Sequence, residues 1–151
     1  MTIIFEVDPY VRIGKIYFSM KKENVRKIYS NFKNYAGHNI CGIPIPDRDY
    51  FSEIGATVEY DRSGKVSFVE LDSRCKVYLK GFSLFDHSFE SILQWLGAVD
   101  DAIVRQEDGL TSLEFGISIY APDHSECATA PPKLVSAFEK NYYGDLFKEA
   151  T

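Results

Sequence analysis

Residues 53–71 read EIGATVEYDRSGKVSFVEL, and this stretch decides the fold class. Apolar and polar residues alternate on both sides of Asp61-Arg62-Ser63-Gly64, the period of a strand with one dry and one wet side. Val58, Tyr60, Val66 and Phe68 fall on the dry side, with Thr57, Glu59 and Ser67 on the wet side. The four residues between the runs have turn chemistry, so the stretch predicts a β-hairpin.

Working outward, the same pattern returns later in the chain. Glu53-Ile54-Gly55-Ala56-Thr57-Val58 matches Glu114-Phe115-Gly116-Ile117-Ser118-Ile119, and Lys65-Val66-Ser67-Phe68 matches Leu134-Val135-Ser136-Ala137. The Glu-x-Gly segments are expected to lie in strands. In place of the tight turn the second copy carries Ala121 to Pro132, APDHSECATAPP, whose three prolines predict an exposed loop. Upstream, each copy has a short strand and then an amphipathic stripe at i, i+3, i+4, i+7: Val25, Ile28, Tyr29 and Phe32 in one, Phe89, Ile92, Leu93 and Leu96 in the other. The spacing predicts helices over 20–33 and 87–97, with Ser19 and Asp86 as their start signals.

The expected fold is therefore α+β: two similar helix-plus-antiparallel-sheet units, over about 10–72 and 75–140, forming one domain across 1–151. The units share a long sheet with the helices packed on one face. A tail over 139–151 carries Tyr142, Tyr143 and Phe147, which predict that it docks on the body. This tandem pattern resembles the repeated helix-plus-sheet unit of the β-lactamase inhibitor proteins. YFSEIGATVEYDRSGKVSFVEL, VYLKGFSLF, EFGISIYAPD and the terminal YY are also similar to a group of small bacterial proteins. Some of that group are immunity proteins, which protect a cell from a contact-delivered toxin. The YAGHNICGIPIP stretch and the Pro-rich loop depart from that pattern.

Composition bounds the rest. No apolar run approaches the roughly 20 residues needed to span a bilayer, and MTIIFEVDPYVRIGK lacks the layout of a signal peptide, so a cytoplasmic location is expected. Three cysteines without a CxxC pair, Cys41, Cys75 and Cys127, read as small buried hydrophobes in a reducing compartment, not as a disulfide framework or a structural zinc site. Net charge is −5 but uneven: the chain is basic up to Pro46 and acidic thereafter. From Asp86 to Glu126 nine carboxylates face a single Arg105, a field that disfavours nucleic acid and favours a basic partner.

Enzyme signatures are thin. His38 and Cys41 could form a base and nucleophile if the fold aimed them at each other, but a surface His beside a buried Cys accounts for the pair. Asp123, His124, Glu126 and Cys127 place several metal-binding side chains close together, yet no second His/Cys cluster completes a tetrahedral set. Asp47, Asp49 and Glu53 could hold magnesium or perform acid-base work, but alternating carboxylates near a strand ordinarily lie on its wet face. Lys21, Lys22, Arg26, Lys27 and Lys33 could meet phosphates, though a helix with one apolar face must show water something polar.

No catalytic set, cofactor or metal is therefore assigned. The expected function is binding of a protein partner by the acidic segment, through Asp100, Asp101, Glu107, Asp108, Glu114 and Asp123, with Tyr120 as an anchoring ring. Trp95, Phe115 and Leu110 are further apolar candidates there. The resemblance implies that this partner is a toxin domain, a basic nuclease in the first instance, neutralised by blocking its active site or substrate path. The alternative is a scaffold or assembly module that recruits a protein by its sheet face or edge.

Overall fold

The computed structural model describes residues 3–144. In chain order its elements are β1 (Ile4–Asp8), β2 (Arg12–Ile13), β3 (Ile16–Tyr17), α1 (Lys22–Ile28), β4 (Lys33–Tyr35), β5 (His38–Ile40), β6 (Ile43–Ile45), β7 (Asp47–Phe51), β8 (Ala56–Tyr60), β9 (Val66–Asp72), β10 (Lys76–Leu79), β11 (Phe82–Ser83), α2 (Phe89–Gly97), β12 (Val104–Gln106), β13 (Gly109–Ser112), β14 (Ile117–Tyr120) and β15 (Leu134–Phe138). Eight strands make one antiparallel sheet in the order β12-β13-β14-β15-β9-β8-β7-β4. A five-stranded sheet, β11-β10-β1-β2-β3, contains one parallel pair, β1 with β10. β5 and β6 pair only with each other.

The inner face of the large sheet follows from alternation. Val58, Val69, Ala137 and Ile117 stand in one row, and Phe51, Ala56, Leu71, Val135, Ile119 and Leu110 in the next. All are buried, in one cluster with Val25 of α1, Phe89, Ile92 and Leu96 of α2, and Phe5, Val77 and Leu79 of the small sheet. Each such aliphatic or aromatic side chain contributes about 1.5–3 kcal/mol by leaving water, so this shared core binds both sheets and both helices together.

Both helices are shorter than the sequence predicts. α1 ends at Ile28, and Lys33 already belongs to β4, which pairs with β7. The stripe misleads because Tyr29 and Phe32 lean on Phe51 from beyond the helix, with centroids 6.0 and 6.1 Å apart, Tyr29 half-buried against the core and Phe32 still exposed. Lys21, not Ser19, is the N-cap and supplies no side-chain bond. In α2 the cap is Ser88, not Asp86: its hydroxyl accepts from the Ser91 amide at 3.2 Å. Asp86 is instead taken up by Ser83 and Lys76.

Glu53 and Glu114 lie in turns, not strands. β7 passes to β8, and β13 to β14, through four-residue turns that close on Gly55 at φ 67 and Gly116 at φ 63, left-handed conformations that cost a residue with a Cβ about 1–2 kcal/mol. Phe68 does not lie on the dry side that alternation predicts. The register shifts between Glu59 and Tyr60, so Tyr60 pairs with Val66 while Glu59 pairs with Phe68 and Ser67 is extra. A one-residue bulge turns the following side chains to the other face, and Phe68 stands on the outer face. Tyr142 stacks on it with centroids 4.9 Å apart, and Tyr143 meets Phe138 edge-on. These two rings dock the tail, while Phe147 lies outside the described residues. Of the cysteines only Cys75 is buried; Cys41 and Cys127 are exposed.

Candidate partner-binding surface

The structure divides the acidic segment between the two ends of β13. At one end Glu107 and Asp108 form the two-residue turn from β12 to β13, and Gly109 pairs with Tyr120 of β14. The loop that follows folds back onto this turn: the Ala121 amide donates to the Asp108 carbonyl at 2.7 Å, and His124 Nε2 donates to the Glu107 carbonyl at 2.9 Å. Asp123 meets Lys133 at 3.2 Å. Glu107, Asp108, Asp123 and Tyr120 are all exposed on this end, Tyr120 by 40%.

Asp101 and Glu114, also exposed, lie at the opposite end of β13, roughly 13 Å away for four residues at about 3.3 Å each. Asp100 is a correction. It is 3% exposed, accepts from Ser112 Oγ at 2.7 Å and from the Ala102 amide at 2.9 Å, and so ties the end of α2 to β13 instead of facing a partner. The apolar companions are also turned inward. Leu110 and Phe115 are core residues, and Trp95 stacks on Phe82 at 4.3 Å, half-buried. Tyr120 alone of the four is exposed.

The other candidate clusters resolve into local pairings. Asp49 is fully buried and receives Arg26 through two bonds of 2.8 and 2.9 Å, Tyr60 at 2.8 Å and Asn34 at 2.9 Å. Burial alone would raise its pKa, but the bonds from Arg26, Asn34 and Tyr60 outweigh that and hold the carboxyl below its ordinary range. Asp47 pairs with Lys22, and Glu53 accepts from Asn31, so two members of the basic stripe neutralise β7 carboxylates. His38 donates Nδ1–H to the Ala36 carbonyl, while Cys41 sits exposed in the β5–β6 turn. Among the described residues no three His, Cys, Asp or Glu side chains converge as metal ligands, and no helix is long and apolar enough to cross a membrane.

Tyr142 covers part of the outer face of the large sheet, where it stacks on Phe68. Tyr142 donates its hydroxyl to Glu59 at 2.9 Å. Burial raises the pKa of Glu59, with the Tyr142 bond opposing it, and burial together with Glu59 raises that of Glu70. Sequence reasoning missed the first strand, β1, and the β5–β6 hairpin. The hairpin's signal was Cys41-Gly42 between two isoleucines, a two-residue loop of the kind that closes hairpins. Comparison of the chain with protein-family models, curated proteins and solved structures gives no match.

Proposed function

We propose that this chain is a non-catalytic binding module, an immunity protein that neutralises a basic toxin domain in the cytoplasm, a nuclease in the first instance. The carrying observation is the end of the large sheet where the exposed Glu107–Asp108 turn lies next to the exposed Tyr120, Gly109 pairing with Tyr120 and Asp123 on the following loop held by Lys133. Carboxylates in water attract a basic protein over a distance, and a half-exposed aromatic supplies an anchor once the partner arrives. Acidic side chains placed this way also imitate the charge of a nucleic acid that a nuclease must approach.

We also infer that two like units build the sheet. In one half α1 and β4 precede β7-β8-β9, in the other α2 and β12 precede β13-β14-β15, and β9 and β15 pair at the centre. The left-handed glycines Gly55 and Gly116 occupy corresponding turns. This reading and the resemblance to tandem inhibitor folds support a binding role.

The test uses the purified C-terminal domain of the protein encoded by the neighbouring gene. Submicromolar binding, with loss of that domain's activity in the complex and protection of cells that express this chain, is the expected result. Absence of both binding and protection overturns the proposal.

A further inference from the structure

The β5–β6 hairpin stands apart from both larger sheets. Its strand residues are exposed, apart from Ile45, which is half-buried, and Ile40 and Ile43 are 52% and 63% exposed. Cys41 at φ 50 and Gly42 at φ 81 make the two-residue turn between them, the geometry that matches strand twist in a tight hairpin. An isolated two-stranded hairpin is at best marginally stable in water, and a third strand is what ordinarily completes it.

Only one edge can receive that strand. Ile40 and Ile43 close the turn and His38 faces Ile45, so Asn39 and Pro44 form the intervening pair, whose backbone groups point away from each other to the two outer edges. Pro44 has no N–H, which guards the β6 edge. Asn39 offers both its N–H and its carbonyl on the β5 edge, and neither is used by a described residue. Residues 36–46 contain no Asp, Glu, Lys or Arg, so β5 also lacks the charges that usually keep edges apart.

We propose that a second copy of this chain supplies the missing strand, with β5 pairing antiparallel to β5 of its partner about a two-fold axis at Asn39. The choice of occupant rests on charge and reciprocity. Two molecules of net charge −5 repel each other least where the approaching segments are neutral. An Asn39 pair centred on a two-fold axis exchanges N–H and carbonyl in both directions, as an isologous contact requires. In that register Ile40 stands opposite His38 of the second copy, so the row formed by Ile43 and Ile40 continues across the joint into His38 and Ile45 of the other molecule. The sheet becomes four-stranded, β6-β5-β5-β6, and the contact is small, hence a weak, concentration-dependent dimer.

Sedimentation of the full chain should show reversible dimerisation below ~1 mM. Asn39→Pro, which removes from β5 the donor already missing from β6, should weaken the dimer at least about tenfold with the far-UV spectrum and melting temperature unchanged. Disulfide trapping reads the register independently. With Cys41→Ser and Cys127→Ser in place, Asn39→Cys should cross-link rapidly on mild oxidation. Cys41 alone, roughly 13 Å from its mate across the axis, should cross-link slowly. Monomer at all concentrations without Asn39→Cys cross-linking, a dimer that survives Asn39→Pro, or faster cross-linking through Cys41 would each overturn the proposal. So would a monomer whose Asn39 edge takes up an added extended peptide, since the strand would then come from another polypeptide.

Discussion

Asp49 is the residue whose charge the fold can least afford to leave alone, because its side chain has no exposure and Arg26 closes over it with two bonds. Cutting Arg26 to Ala strands a buried carboxylate, and such losses run to about 3–5 kcal/mol; urea unfolding at neutral pH should register about 3. Arg26→Met combined with Asp49→Asn removes both charges and should cost less than the single change, because no unpaired ion remains. The pH dependence follows from the direction of the shift. The folded carboxyl titrates below its unfolded value near pH ~4, so its contribution is complete above that value and drains away as pH falls through the folded pKa. The Arg26→Ala variant should therefore lose much of this acid sensitivity. Gly116 presents a different constraint. A Cβ there would lie 2.8 Å from Tyr10 Cε1, on backbone at φ 63. Gly116→Ala should cost about 1–2 kcal/mol for the conformation alone, and more because the Tyr10 ring, whose hydroxyl donates to the Leu113 carbonyl, has to move; thermal unfolding measures the total.

Among the elements, the turn that follows β15 carries its own test. Tyr142→Phe keeps the ring on Phe68 but removes the donor from Glu59, leaving a half-buried carboxylate with one bond fewer. A stability loss of about 1–2 kcal/mol is expected at pH 7. Burial raises the Glu59 pKa in the fold, so protonation favours the folded state below the unfolded pKa, and that advantage is lost as pH rises through the folded value. The deficit of Tyr142→Phe should thus shrink as pH falls toward ~4, whereas Tyr142→Ala, which also loses the stacked ring, should remain unstable throughout. The same elements mark how far sequence alone reaches. β8, β9 and their Asp61–Gly64 turn were legible because alternation and turn chemistry agree, and the α2 stripe was legible because all its apolar residues stay on one helix. α1 was overread because Tyr29 and Phe32 keep helical spacing while β4 pairs with β7, a tertiary preference that local periodicity does not contain. Phe68 was misplaced because the adjacent apolar pair Phe68-Val69 breaks the alternation without showing which of the two faces the core, and Asp100 is tied by Ser112, a contact between a loop and a strand that local pattern does not contain.

At the scale of the molecule, the parallel pairing of β1 with β10 had no sequence signature, since it joins the first strand to one far along the chain, yet it unites β1, β2 and β3 with β10 and β11 in one small sheet. Charge asymmetry, by contrast, was readable at once, and the structure sharpens it by separating Glu107, Asp108 and Asp123 from Asp101 and Glu114 and removing Asp100 to the interior. This separation shapes the expected binding kinetics against the toxin domain proposed above. Exposed carboxylates act across a Debye length of about 8 Å at physiological ionic strength, so reversing Glu107 and Asp108 to Lys should slow association, and the difference from wild type should narrow as salt is added. Reversing Asp101 and Glu114, at the far end of β13, should have a smaller effect on the same rate. Tyr120→Ala should instead speed dissociation, because an aromatic anchor desolvated at an interface typically costs about 2 kcal/mol or more when truncated, and such losses appear mainly in the off-rate. Asp100→Asn should leave both rates alone while lowering thermal stability, since its carboxylate serves Ser112 and the Ala102 amide. Surface binding kinetics at two salt concentrations separate these outcomes. If reversal of Glu107 and Asp108 leaves association unchanged while reversal of Lys21 and Lys27 on the exposed side of α1 abolishes it, the binding face is the basic one and the partner is acidic.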